Sequence, residues 1–430
     1  MRKKEATYIV EFEGPDDPLN ALNWSIRKRV IATLLLSLTT FVVTFASSVF
    51  SSALRVVAVE FNVSDEVATL GTSLFVVGFA LGPLVWGPLS ELFGRKWPLL
   101  LSYALFAIFQ IPVATAKDLA TIMLCRFFGG VFASSPLGIV GGAIADMWSA
   151  SHRAAATAGF ALATFVGPAM GPIVGGFITQ SYLGWRWTEH ITYIMAFFFL
   201  ALDVLFLPET YGPVLLKYKA KRLRHERAIW AIHARQEEKE ISVKSILQVY
   251  LLRPIKMLAL EPMILLLTVY VSFVYGVVYL LFSAFPIAYQ QTRGWNDGVG
   301  ALPFLGITIG AFIGSGIIVA FIPRYQRKMT EAGGPVPEER LPPMMIGGVL
   351  FPIGLFWWSW TSYPTISWVP QVLAGIPLGT GILLIFLQTI NYLIDAYLMH
   401  ANSAIAANTF MRSFFGAGFP LFAVQCMLRP

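Results

Sequence analysis

Apolar residues gather along the chain into long blocks, which polar segments separate. A helix needs about 20 mostly apolar residues to cross a hydrocarbon core roughly 30 Å thick. Eleven blocks meet that length, and they lie at residues 30–54, 66–88, 97–116, 119–147, 154–181, 189–207, 258–284, 298–322, 343–361, 366–394 and 402–427. The pattern predicts an all-α membrane protein with about 11 transmembrane helices.

Polar segments divide the predicted helices into two groups. A tail at residues 1–29 precedes a first bundle of six helices at residues 30–207. The longest polar interval, residues 208–257, separates it from a second bundle of five helices at residues 258–430. Similar loops after helices 2 and 8, and similar Gly-rich stretches in helices 5 and 11, suggest a parallel repeat of six helices. On that interpretation we expect a twelfth helix, which is missing from this chain.

Composition narrows the class of protein further. Of the 430 residues, 56 % are hydrophobic and 13 % are charged, and the mean hydropathy is +0.67, far from the values of soluble domains. The five histidines are scattered, and both cysteines, Cys125 and Cys426, fall inside predicted helices. We therefore expect no enzyme, no metal site and no disulfide framework.

Lys and Arg residues are distributed unevenly between the two sides of the predicted membrane region. With the N-terminus inside, 24 of the 31 fall on the cytoplasmic side and five on the other. Loops rich in Lys and Arg remain cytoplasmic, so the N-terminus is predicted to be cytoplasmic. The net charge of +7 then faces anionic lipids rather than nucleic acid.

Two arginines remain inside the predicted helices. Arg126 lies about a third of the way into helix 4, and Arg412 lies about a third of the way into helix 11. A guanidinium at that depth is costly unless it pairs or faces water, so both are candidate functional residues. Neither can carry a proton during transport, because a guanidinium stays protonated.

The loop between helices 2 and 3, "GPLSELFGRK", is very short. Gly87 and Gly94 are expected to allow tight turning and close backbone approach. Glu91, Arg95 and Lys96 would then lie at the membrane edge, where charges can lock one arrangement of the bundles. Asp146 is predicted to end helix 4 on the same side. It either joins a salt-bridge cluster there or is a simple interfacial carboxylate.

Helix 5 contains "GFALATFVGPAMGPIVGGFI", in which seven of the twenty residues are Gly or Pro. Small residues recur at every fourth position, which lets a neighbouring helix approach closely. They are Gly159, Ala163, Gly167, Gly171 and Gly175. The stripe predicts a packing seam, and we expect the seam to close a pathway in one state and to bend in another.

Several polar and aromatic side chains are candidates for lining a substrate cavity. Tyr275 and Tyr279 lie on an aromatic helix 7 whose rings could equally face lipid. Gln388, Asn391 and Asn408 are stronger candidates, because an unpaired amide in lipid is expensive. The carboxylates near helices all fall toward predicted cytoplasmic ends, so no proton-carrying residue is assigned.

The short loop resembles the cytoplasmic loop motif of the major facilitator superfamily, G-x-L-[AS]-[DE]-[RK]-x-G-R-[RK]. The matching residues are Gly87, Leu89, Ser90, Glu91, Gly94, Arg95 and Lys96, while Leu92 replaces the usual basic residue. Arg126 and Gly130 are similar to the Arg-x-x-x-Gly pattern of helix 4 in that superfamily.

Helix 5 resembles the motif of proton-coupled antiporters in that superfamily, G-x-x-x-G-P-x-x-G-G. The matching positions are Ala163, Gly167, Pro168, Gly171, Pro172, Gly175 and Gly176, with Ala163 replacing a glycine. Together with "GPDDPLNALNWS", "PETYGPVLL" and "NYLIDAY", these motifs resemble fungal twelve-helix drug/proton antiporters.

The resemblance implies the major facilitator two-bundle fold and proton-coupled efflux of drugs, toxins, polyamines or secondary metabolites by alternating access. It also implies that a proton gradient, rather than a cofactor, supplies the energy. We expect a multi-pass monomer in the lipid bilayer of the plasma membrane. The alternatives are a truncated form that transports nothing, a substrate sensor, and an importer on the same fold.

Overall fold

Long apolar helices dominate the computed structural model, which describes residues 8–14, 16–238, 248–423 and 425. Within that part of the chain, ten helices are long and apolar enough to span a membrane. We label them α1 Ile26–Glu60, α2 Asp65–Phe93, α3 Lys96–Ala114, α4 Leu119–Met147, α5 Ala150–Gln180, α6 Arg186–Phe206, α7 Pro262–Gln291, α8 Asp297–Ala332, α9 Pro337–Trp360 and α10 Trp368–Tyr397. An eleventh helix, α11 Ala401–Gly418, continues into a 3₁₀ turn at Phe419–Phe422. The all-helical prediction is confirmed, and about 11 spans agree with it.

Polar side chains at the helix starts explain several boundaries. The side chains of Ser25, Ser64 and Asp118 accept hydrogen bonds from the backbone N–H groups of Lys28, Val67 and Thr121. Such caps satisfy donors that the first turn of a helix leaves without partners. The helices α1, α2 and α4 therefore begin at capping residues.

The helices pack in two groups that follow chain order. In the first group α1 packs along α5 and α6, α2 packs on α4, and α3 packs on α4 and α6. In the second group α7 packs on α11, while α8 and α9 both pack on α10. Contacts of α5 with α8 and of α2 with α11 join the groups. Residues that line this junction are therefore supplied by both groups.

The small-residue stripe of α5 packs against α1. A methyl group added at Gly167, Gly171 or Gly175 would come within 2.8 Å of backbone atoms of Phe41 or Val49. At Gly159 the same methyl group would meet nothing within 4 Å. The predicted seam therefore exists at three of the four glycines of the stripe. It lies inside the first group of helices and not between the two groups.

A small extramembrane unit joins the N-terminal segment to the connecting loop. Ile9 forms an isolated parallel β-bridge with His233, and the Val10 N–H donates to the His233 carbonyl at 2.9 Å. Lys219, on the helix Gly212–Arg227, forms ion pairs with Glu13 at 2.8 Å and with Asp17 at 3.4 Å. We call the face of the helical bundle that carries this unit the basic face.

Candidate functional site

A small cavity lies between the two groups of helices. Its volume is about 20 Å³, enough for one water molecule. The first group contributes Thr44, Leu137, Thr164, Phe165 and Pro168, and the second contributes Tyr275, Val278, Tyr279, Phe386 and Arg412. Two of the predicted cavity residues, Tyr275 and Tyr279, therefore line it, together with Arg412 and with Pro168 of the α5 motif.

Arg412 presents a buried cation to this cavity. Its side chain is 6 % exposed, and its guanidinium carbon lies 4.4 Å from the centre of the Phe386 ring and 5.3 Å from that of Tyr275. Nε and Nη1 are buried and have no hydrogen-bond partner. Within the described residues, no carboxylate lies within 4 Å of the guanidinium. Among the described residues, the groups that contact this positive charge are aromatic ring faces.

A chain of hydroxyl groups crosses from one helix group to the other beside Arg412. The Tyr275 hydroxyl donates to Tyr279 at 3.4 Å, and the Tyr279 hydroxyl donates to Ser47 Oγ at 3.0 Å. Ser47 in turn donates to the Thr44 carbonyl at 2.7 Å. Tyr279 and Ser47 are buried, so this chain is a polar link between α7 and α1.

The three predicted amide side chains are not among the residues that line the cavity. Asn391 donates to Gln388 at 3.5 Å, and Asn408 donates to the Thr268 hydroxyl at 3.4 Å. Each amide thus has a partner inside the second group of helices, where an unpaired amide would be costly. The expectation that Gln388, Asn391 and Asn408 line this cavity is not met in this conformation.

Arg126 forms a buried ion pair with a residue that the sequence did not single out. Its Nη1 lies 3.4 Å from Glu189 Oε1, and both side chains are fully buried. Arg126 also donates to the carbonyls of Gly71 at 3.0 Å and Ala46 at 3.1 Å. Its guanidinium therefore ties α4 to α1, α2 and α6.

A second buried carboxylate, Asp203, lies near the end of α6 that is closer to the basic face of the bundle. The side chain of Asp203 is 1 % exposed, and its Oδ2 accepts a hydrogen bond from the Thr39 hydroxyl at 2.7 Å. Oδ1 has no partner, and no cation lies within 4 Å among the described residues. Asp203 thus differs from Glu189, whose charge is paired.

The loop between α2 and α3 is held by two carboxylates. Arg95 Nε pairs with Asp146 Oδ2 at 3.1 Å, which forms the predicted contact between these residues. Glu209, just after α6, accepts the backbone N–H groups of Arg95 at 2.8 Å and Lys96 at 3.1 Å. The Arg95 guanidinium also lies over the Tyr211 ring, and burial raises the pKa of that phenol. The loop is therefore fixed to the ends of α4 and α6.

The two glycines of this loop play different parts. Gly94 adopts φ +90°, which favours glycine, and an added methyl group would lie 2.6 Å from the Glu209 carboxyl carbon. Gly87 lies inside α2, and a methyl group there would meet nothing within 4 Å. The expected need for close approach therefore holds at Gly94 and is wrong at Gly87 in this conformation. Lys96 donates to the Val204 carbonyl at 3.5 Å.

The second group of helices carries a comparable polar contact at the basic face. Arg340 pairs with Asp395 at 2.7 Å, and the Tyr325 hydroxyl donates to the same carboxylate at 2.8 Å. Asp395 ends α10 much as Asp146 ends α4, each bound to an arginine that begins a neighbouring helix. The basic pair of the loop after helix 8, Arg327 and Lys328, instead forms ion pairs with Glu331.

Contacts between the two groups close the cavity toward both faces. At the basic face Asn402 Nδ2 donates to Glu91 Oε1 at 2.7 Å. An apolar cluster that joins α5 to α8 and α10 includes Ala158, Ala161, Ala311, Ile318, Leu383, Leu384 and Leu387. Toward the other face, a methyl group on Gly176 would lie 2.5 Å from the Asp297 carbonyl, and the Gly298 N–H donates to Gln180 at 3.3 Å. Gly176 is thus the glycine of the α5 motif that faces the second group.

Two site residues, Glu189 and Glu209, went unassigned in the sequence. Glu189 lies in the first turn of α6, and the signal for it was that a buried Arg126 requires an anion. Glu209 lies in "PETYG", just after α6. The free N–H groups at the start of α3 were the signal that an acceptor was needed there.

Comparisons with known proteins agree with this architecture. A family model described as Major Facilitator Superfamily matches residues 36–420. A citrinin biosynthesis cluster MFS transporter of Monascus ruber is 53 % identical over 97 % of this chain and 84 % of its own. The MFS-type transporter traF of Penicillium crustosum is 49 % identical over 96 % of this chain and 84 % of its own.

Among solved structures, the proton:xylose symporter XylE superposes with a TM-score of 0.66 at 18 % identity. The match covers 94 % of this chain and 91 % of XylE. At that identity the likeness concerns the fold alone. The family model and the two fungal relatives, together with the two helix groups and the cavity they share, show that this chain belongs to the major facilitator superfamily.

Proposed function

We propose that this transporter exports small organic molecules in exchange for protons, by alternating access. The observation that carries the proposal is the cavity that both helix groups line and that contacts close toward both faces. A substrate enclosed there would be released when one set of contacts opens. The relatives named for citrinin and ascochitine biosynthesis clusters support organic metabolites as the cargo.

Asp203 is the proton-carrying residue in this proposal. Protonating Glu189 would weaken its ion pair with Arg126. Protonating Asp203 would neutralise its carboxylate without breaking an ion pair among the described residues. Asp203 also lies one residue before Val204, whose carbonyl accepts a hydrogen bond from Lys96. Lys96 begins α3, directly after the loop between α2 and α3. The protonation state of Asp203 can therefore influence how that loop is held.

The test is flux into proteoliposomes with a pH gradient imposed in either direction. An antiporter accumulates an organic dye in vesicles that are acidic inside, and a symporter accumulates it in vesicles that are acidic outside. A substrate sensor moves no dye in either case. Asp203→Asn should abolish the dependence of flux on the gradient, while Asp65→Asn, a change at an exposed carboxylate that begins α2, should not. Gradient-dependent flux by the Asp203→Asn variant would rule out this residue.

We also propose a monomer in the plasma membrane with a cytoplasmic N-terminus. The support for the orientation is the uneven distribution of Lys and Arg. An N-terminal epitope tag should then react with antibody only after cells are permeabilised. Reaction on intact cells would reverse the orientation.

A further inference from the structure

We propose that the cavity takes planar organic anions, and that Arg412 binds the anionic group. This names a substrate class for the transporter and rests on the proposed function. Of the ten residues that line the cavity, Arg412 alone is charged, and none is acidic. A cation would therefore meet a like charge with no carboxylate to hold it, which disfavours polyamines and other cationic cargo.

Unused hydrogen-bonding groups point to the same class. The Nε and Nη1 groups of Arg412 have no acceptor, although buried N–H groups normally have one. Arg126 differs in having Glu189 and two carbonyls as acceptors, although its Nη2 also lacks a partner among the described residues. A carboxylate, sulfonate or phenolate would supply the oxygens that Arg412 lacks, because guanidinium presents a planar fork of donors to such groups.

Aromatic rings around Arg412 favour a flat substrate. The rings of Tyr275 and Phe386 lie at 25° to each other with their centres 6.2 Å apart. The Phe165 ring, from the first helix group, meets the Phe386 ring edge-on at 4.9 Å. A planar molecule bound to Arg412 would stack on these faces once the helix groups part enough to widen the cavity.

The experiment uses two naphthalene probes of opposite permanent charge, naphthalene-1-sulfonate and 1-naphthyltrimethylammonium. Their flux is measured in proteoliposomes that contain the full chain, under both directions of pH gradient. The expected result is transport of the sulfonate at least tenfold faster than transport of the ammonium compound. Arg412→Gln should lower sulfonate transport at least tenfold, and Arg412→Lys should retain more of it than Arg412→Gln.

Binding is measured in parallel as the rise in apparent melting temperature that each probe produces in detergent. This measurement also shows whether the variants are folded. Preference for the ammonium probe, or unchanged sulfonate transport by a folded Arg412→Gln variant, overturns the substrate class and leaves the transport proposal standing. Sulfonate binding that depends on Arg412 without flux of either probe supports the anion site and overturns the transport proposal. If the sulfonate shows no binding and no flux, the substrate class is overturned.

Discussion

Breaking the Arg126–Glu189 pair should destabilise the first group of helices strongly. Arg126→Gln leaves Glu189 as an unpaired buried charge and removes donors from the Gly71 and Ala46 carbonyls. Removing one partner of a buried ion pair costs about 3–5 kcal/mol. The loss should be seen as a fall of several degrees in the apparent melting temperature of detergent-purified protein.

The double variant Arg126→Gln/Glu189→Gln separates the pair from its surroundings. Because neither charge is then left alone, its loss of stability should be clearly smaller than the sum of the two single losses. Arg412→Gln is the matched control, since it removes a buried arginine that has no carboxylate partner, and it should cost little or raise stability. Additive losses, or an Arg126→Gln protein as stable as the wild type, would refute the role given to this pair.

Three further predictions concern other parts of the molecule. Gly171→Leu should lower the yield of folded protein sharply, because the new side chain would collide with the α1 backbone, whereas Gly159→Leu should not lower it. Size-exclusion profiles compare the two yields. Equal yields would contradict the seam. Glu209→Gln should weaken the hydrogen bonds that hold the loop between α2 and α3, and it should speed labelling of a cysteine placed at Leu92. Unchanged labelling would count against that contact. Hydrogen bonding to the Ala231 carbonyl and to Glu238 raises the pKa of His233. Protonated His233 therefore stabilises the contact with the N-terminal segment below the ordinary pKa of histidine, and this stabilisation is lost as pH rises through the raised pKa. Proteolysis of the N-terminal segment should be faster at high pH. Glu238→Gln should reduce the difference between the rates at low and high pH.

Much of the fold follows from the sequence because the bilayer makes apolar length decisive. Within the described residues, each of the eleven blocks overlaps a helix. Arg126 and Arg412 are buried, and Tyr275 and Tyr279 line the cavity. Partners were harder to predict, since Glu189 reaches Arg126 through the packing of α6 on α3, which itself packs on α4.

The sequence also could not show which helix packs against the small-residue stripe of α5. The stripe on α5 predicts that some helix approaches closely, but one helix cannot show whether that neighbour belongs to its own group. The structure assigns Gly167, Gly171 and Gly175 to α1 and leaves Gly176 to face α8. Gly176, rather than the stripe, is therefore the part of this motif that contacts the junction between the two groups.

The two intramembrane arginines, Arg126 and Arg412, are held in different ways, and the difference bears on the proposed transport. The first group pairs Arg126 with Glu189 and Arg95 with Asp146, contacts that stay within it and can persist while the groups rock. The second group leaves Arg412 at the shared cavity without an anion. A bound anion would be in contact with both groups only while the cavity is closed, so it would stabilise the closed state relative to either open one. In the proposed mechanism, the pairs inside the first group keep that group rigid, and the Arg412 charge at the junction makes closure depend on a bound anion.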